Sequence, residues 1–158
     1  MPQTLIAVIG AGRCDTATAE LAFDVGAEIA RQGATLLCGG LGGVMEAAAK
    51  GCQEAGGVSL GLLPGSDAAT GNPYLTYALP TNLGHARNVV IAQSATALVA
   101  VEGEYGTLSE IAAALKIGRP VVVLGRWSHL EGVMTADSPA EAVRLACFHC
   151  TSSQGVTL

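Results

Sequence analysis

Positive charge is scarce in this chain. Its 158 residues include eight Lys and Arg against thirteen Asp and Glu, a formal net charge of -5. Nucleic acid as a main partner calls for a basic field, and none is present. Aromatic residues make up only 4% of the chain and charged residues of both signs only 13%. A core with so few rings is built from Ala, Val, Leu and Gly, which suits helices and strands in close contact. No apolar run reaches the length of a bilayer span. Met1-Pro-Gln-Thr leads into an apolar run without the basic leader of a signal peptide. These absences predict a soluble, cytoplasmic protein that engages neither membrane nor nucleic acid.

Cysteine chemistry is sparse as well. Cys14, Cys38, Cys52, Cys147 and Cys150 are odd in number and irregular in spacing, so no disulfide framework is expected. Cys147-Phe-His-Cys150 lacks the second ligand pair that a structural zinc needs, so no metal site is expected.

What the chain does have is apolar material. Half of its residues are hydrophobic. The length is that of one domain, read as 1–150 with a disordered tail at 151–158. So apolar a surface predicts self-association, as a dimer or tetramer.

Short strand-like runs recur at Leu5–Ile9, Thr35–Cys38, Val58–Leu63, Ala97–Val101 and Val121–Leu124. Most are continuous rather than alternating, as in strands covered on both faces. Tyr74–Leu79 alternates and reads as an edge strand. Helical spacing separates them over Thr18–Arg31, Val44–Ala55, His85–Ser94 and the stripe Leu108, Ile111, Ala112, Leu115. Ser138-Pro139-Ala140-Glu141 reads as a helix start with a capping box. Strand and helix in alternation predict a doubly wound, mostly parallel α/β sheet with helices on both faces. Pro64–Pro73, rich in Gly, Ser, Asp and Asn, reads as a mobile cover over a site.

In such a sheet, ligands bind beyond the carboxyl ends of the strands. Glycines gather there: Gly10 and Gly12 after the first strand, Gly39, Gly40, Gly42 and Gly43 after the second, Gly103 and Gly106 before a helix. Glycine lets backbone approach a ligand, and the helix N-termini behind these loops favour anions. The first loop is no dinucleotide fingerprint, because Asp15 stands where GxGxxG needs Gly. Of the eight cations, Arg13, Arg87 and Arg126 fall on this edge. Arg87 sits near a helix start, against the dipole, and calls for a phosphate or a carboxylate. Thr107-Leu-Ser-Glu110 has two readings. In one it is a capping box; in the other Thr107 and its neighbouring amides hold phosphate while Glu110 meets a ribose or Arg87.

Gly39-Gly-Leu-Gly-Gly-Val-Met45, Gly84-His-Ala-Arg-Asn88 and Tyr105-Gly-Thr-Leu-Ser-Glu110 occur in that order. The trio resembles the LONELY GUY family, the cytokinin riboside 5'-monophosphate phosphoribohydrolases once labelled lysine decarboxylase-like. It is similar, more closely still, to the molybdenum cofactor carrier branch of that Rossmann-like superfamily. The hydrolase resemblance implies that Arg87 and Glu110 act at the ribose and N-glycosidic bond and that Gly106 and Thr107 form the phosphate turn. The chain departs from the PGGxGTxxE motif with Glu102 for Pro and Glu104 for the second Gly. An added carboxylate beside phosphate amides weakens dianion binding unless it points away. The carrier resemblance implies an oligomeric protein that holds a phosphorylated pterin, the molybdenum cofactor (molybdopterin), without cleaving it. Arg13, the Gly39–Gly43 loop and the Gly106-Thr107 turn would then form the anion site. The alternatives are a nucleoside 5'-monophosphate phosphoribohydrolase and an interaction protein with a degenerate pocket.

Overall fold

A computed structural model describes residues 3–152. The strands are β1 (Leu5–Gly10), β2 (Thr35–Cys38), β3 (Ser59–Leu63), β4 (Tyr77–Pro80), β5 (Ala97–Val101), β6 (Val121–Leu124) and β7 (Met134–Thr135). The helices are α1 (Thr16–Arg31), α2 (Val44–Glu54), α3 (Arg87–Ser94), α4 (Tyr105–Lys116) and α5 (Pro139–Ser152). All seven strands form one parallel sheet in the order β4-β3-β2-β1-β5-β6-β7.

Strand side chains alternate between two cores. Ile6 and Val8 join Val99, Val101 and Val122 in a core closed by α1, α2 and α5. Ala7 and Ile9 join Leu98, Ala100 and Val123 in a second core under α3 and α4. Both faces of the central strands are therefore dry, which is why their sequences are continuously apolar. On one face α1 and α2 pack backbone against backbone. A Cβ at Gly26 would lie 1.9 Å from the Ala48 carbonyl oxygen, and one at Gly51 would lie 2.0 Å from that of Phe23.

The order of strands reverses direction at β1. The chain moves outward from β1 through β4, then crosses back to place β5 on the other side of β1. Loops diverge where β1 and β5 end side by side, with Gly10 opposite Val101. That divergence opens a crevice at the switch point.

Several local expectations are revised. The edge strand begins at Tyr77, not Tyr74, because Thr76 and Ser59 exchange side-chain bonds to each other's backbone amides at 3.0 and 3.1 Å. The cap of α5 is split. Ser138 accepts from the Glu141 amide, but the Glu141 carboxylate returns its bond to the amide of Asp137. The segment 64–73 contains a 3-10 turn at Ala68–Thr70 and is anchored near its end, where Asn72 donates its amide to the Gly40 carbonyl and its side chain to that of Leu41. Helix α5 continues through Thr151 and Ser152, and the rest of the expected tail lies outside the described residues. Among the described residues, no helix is long and apolar enough to cross a membrane.

Candidate functional site

The switch-point crevice is a cleft of about 390 Å³. Its floor is made where β1 ends. Gly10 has no room for a side chain, since a Cβ would lie 2.5 Å from the Val101 carbonyl oxygen and 2.6 Å from Val44. Gly12 is open, and Arg13 beside it is exposed at the rim. Across the cleft stand Arg87, the first residue of α3, and Gly106, Thr107 and Glu110 of α4.

Helix α4 starts earlier than a Thr107 cap requires. It begins at Tyr105, with Glu104 at the N-cap making no side-chain cap bond. Thr107 therefore sits inside the first turn and Glu110 a turn deeper, so the Thr107–Glu110 capping box does not form. Thr107 is packed against Gly103, where a Cβ would lie 2.2 Å from its hydroxyl oxygen. The first amides of α4 have no intrahelical acceptor and carry the positive end of the helix dipole.

Arg87 and Glu110 are the buried charges of the cleft, with 8% and 7% exposure. The Arg87 guanidinium donates from Nη2 to the Gly39 carbonyl at 3.2 Å and from Nη1 to the Asn88 side-chain oxygen. Its buried Nε has no partner. No direct ion pair joins it to Glu110; the ion pairs of the described residues are Arg31–Glu28 and Arg126–Glu104. Burial pushes the Glu110 carboxyl up to about 7, with Arg87 pulling the other way. Burial lowers Arg87, opposed by Glu110 and then Cys38. Desolvation outweighs attraction for the carboxyl because the two groups sense each other without touching. Cys38 behind them is wholly buried and its thiol is pushed up to about 12, which makes it an inert core group.

The other candidates divide. Gly39, Gly40, Gly42 and Gly43 do not line the cleft; they serve close packing around it. A Cβ at Gly39 would lie 2.7 Å from both Arg87 Nη2 and the Met45 sulfur. Gly43 has φ of 62° and leaves only 2.3 Å between such a Cβ and the Ala11 carbonyl oxygen. Gly103 belongs to an adjoining cleft of about 330 Å³ with Glu102 and Arg126. Arg126 is engaged there: its Nη1 pairs with Glu104 at 2.8 Å and its guanidinium lies 4.9 Å over the Trp127 ring. Met45, His85, Asn88 and Glu104 line the first cleft in addition. Three of these lie within the quoted motifs, but nothing in their spacing assigns them to the wall.

A larger groove, about 470 Å³, runs outside α1 and α2 past Phe23 and Lys50. It lies away from the switch point and gathers no buried charge. Among the described residues, no group of three or more His, Cys, Asp and Glu is placed to hold a metal ion.

A single parallel sheet with helices on both faces, and a charged cleft at its switch point, defines a Rossmann-like α/β protein. The sequence model of the SLOG cluster4 family matches residues 3–150, and the chain belongs to that family. A protein of Archaeoglobus fulgidus is 46% identical over 148 residues, 94% of this chain and 95% of the relative. The molybdenum cofactor binding protein of Rippkaea orientalis superposes with a TM-score of 0.89 at 33% identity, over 94% of this chain and 98% of its own. The molybdenum cofactor carrier protein of Chlamydomonas reinhardtii superposes at 0.86 with 34% identity, over 95% and 99%.

Proposed function

We propose that this chain binds and carries a phosphorylated heterocyclic cofactor, the molybdenum cofactor, in the switch-point cleft. The observation that carries the reading is Arg87: a largely buried guanidinium that lines the cleft wall without a direct ion pair to Glu110. A largely buried cation without a direct counter-ion is costly and calls for an anion. Arg13, the free amides at the start of α4 and Arg87 together offer a cradle for phosphate oxygens. Glu110, with a carboxyl raised by burial to about 7, adds less opposing charge the further pH falls below that value. The named binding and carrier proteins share the fold over nearly their whole lengths, which supports the same cargo here.

The arrangement suits holding rather than cleaving. Glu102 and Glu104 occupy the two motif positions that the hydrolases fill with Pro and Gly. Titration of the purified protein with molybdopterin and with AMP tests the reading, and no saturable binding of either rejects it. Release of ribose 5-phosphate from AMP would instead assign Arg87 and Glu110 to hydrolysis.

The carrier works in the cytoplasm as a homo-oligomer in this reading. Leu83, Val89 and Tyr105 are large exposed apolar residues on the side of α3 and α4, with Tyr77 and Leu79 exposed on the edge strand.

A further inference from the structure

The two clefts at the switch point share a wall. Ala11, Arg13 and Glu104 line both. The first cleft holds Arg87, which has no direct ion pair to Glu110, and the start of α4, the groups proposed above to take an anion. The second has a different character, with Asp15, Glu102 and Glu104 against Arg13 and Arg126. Glu104 stands at the boundary and is held there by a frame. Glu102, with φ of 50°, turns its carboxylate to accept the Arg126 amide at 3.1 Å. The Arg126 side chain lies over Trp127 and pairs with Glu104 at 2.8 Å. Gly125 makes the frame possible, since a Cβ there would lie 1.9 Å from a Glu102 carboxylate oxygen.

A carboxylate at that boundary repels phosphate. What it does well is accept two parallel N–H donors. We propose that Glu104 reads the N–H edge of the ligand's heterocycle, while the phosphate sits against Arg87 and α4. This rests on the carrier reading above and names the ring it selects. The ring is an aminopyrimidinone, which presents a ring N–H and an exocyclic amine side by side, as pterins and guanine do. An adenine edge offers an amine beside a ring nitrogen lone pair, and that lone pair faces the second carboxylate oxygen unfavourably. Glu104 is therefore a specificity residue, and its replacement of the motif glycine is a gain of recognition.

Calorimetric titration of the full chain with GMP, AMP and inorganic phosphate tests this. Wild type is expected to bind GMP about tenfold more tightly than AMP, the scale of one good bidentate contact. Glu104→Ala is expected to lose that preference and to bind inorganic phosphate more tightly. Glu104→Gln keeps the size but sets an amide N–H2 against the ligand's donors, and is expected to lose the preference too. Equal binding of GMP and AMP by wild type, or a preference that survives in Glu104→Ala, overturns the proposal and leaves the anion site standing. Failure of all three probes to bind removes the anion site, and this inference with it. Thermal melting of each variant verifies that it folds, as expected for a side chain that is 72% exposed.

Discussion

Arg87 and Glu110 face one cleft from two different helices, each more than nine-tenths buried, with no direct ion pair between them. The guanidinium is left without a direct counter-ion, and burial, only partly opposed by Arg87, raises the Glu110 carboxyl to about 7. Both consequences can be measured.

Removing the guanidinium should remove the anion site. Arg87→Ala is expected to weaken binding of a phosphorylated ligand by about 2–5 kcal/mol, the range for truncating one partner of a buried charge contact. The same variant takes away the only attraction that opposes desolvation at Glu110, so the carboxyl should titrate still higher. Calorimetry and a carboxyl-resolved NMR titration check the two effects.

Glu110 makes stability depend on pH. Its folded pKa, about 7, lies above its usual value, so the folded state binds the proton more tightly than the unfolded chain does. The stabilisation is fully present below the ordinary carboxyl range and is lost as pH rises through about 7. At roughly 1.4 kcal/mol per unit, the loss is at most about 3.5 kcal/mol. Urea unfolding at pH 5 and pH 8 should show it, and Glu110→Gln should flatten it. Ligand affinity relative to Glu110→Gln should fall over the same interval, because an ionised Glu110 repels the anion.

How far the sequence reaches is seen in this pair. Arg87 is legible as a cation set against a helix start, and Glu110 as its motif partner. The apolar runs reveal five of the strands; they are continuous where the strand is dry on both faces, as in β2, β5 and β6, whereas β3 alternates buried and half-buried residues. β7 has two residues and no pattern to read. Of the two readings of Thr107–Glu110 the capping box fails, because α4 starts at Tyr105 and its N-cap, Glu104, uses no side-chain bond. The glycines of 39–43 read in the sequence as places where backbone approaches a ligand; in the structure the close neighbours are protein groups. Sequence cannot tell that the approaching groups are Arg87, Leu63 and the Ala11–Arg13 backbone. Arg126 is taken for a cation facing ligand because its engagement by Glu104 joins residues 22 positions apart.

The contact between α1 and α2 should not tolerate a methyl group. Gly26→Ala improves local helix propensity by about 1 kcal/mol. Its Cβ would nevertheless lie 1.9 Å from the Ala48 carbonyl oxygen, so the helices must separate. Overpacking of this kind costs about 1–3 kcal/mol or more, and a net fall in Tm of roughly 5 °C is expected. Calorimetric melting checks it.

The exposed apolar side chains near α3 and α4 should be covered in solution. Light scattering is expected to give a dimer or tetramer mass. Val89→Glu, on an exposed position of α3, is expected to shift the mass toward the monomer without unfolding the chain.

The most direct measurement is a binding titration of the wild-type protein and Arg87→Ala with molybdopterin. The account predicts saturable binding by wild type, recovery of the ligand intact, and loss of binding in the variant. Equal binding by the two proteins, or no saturation by wild type, would contradict it.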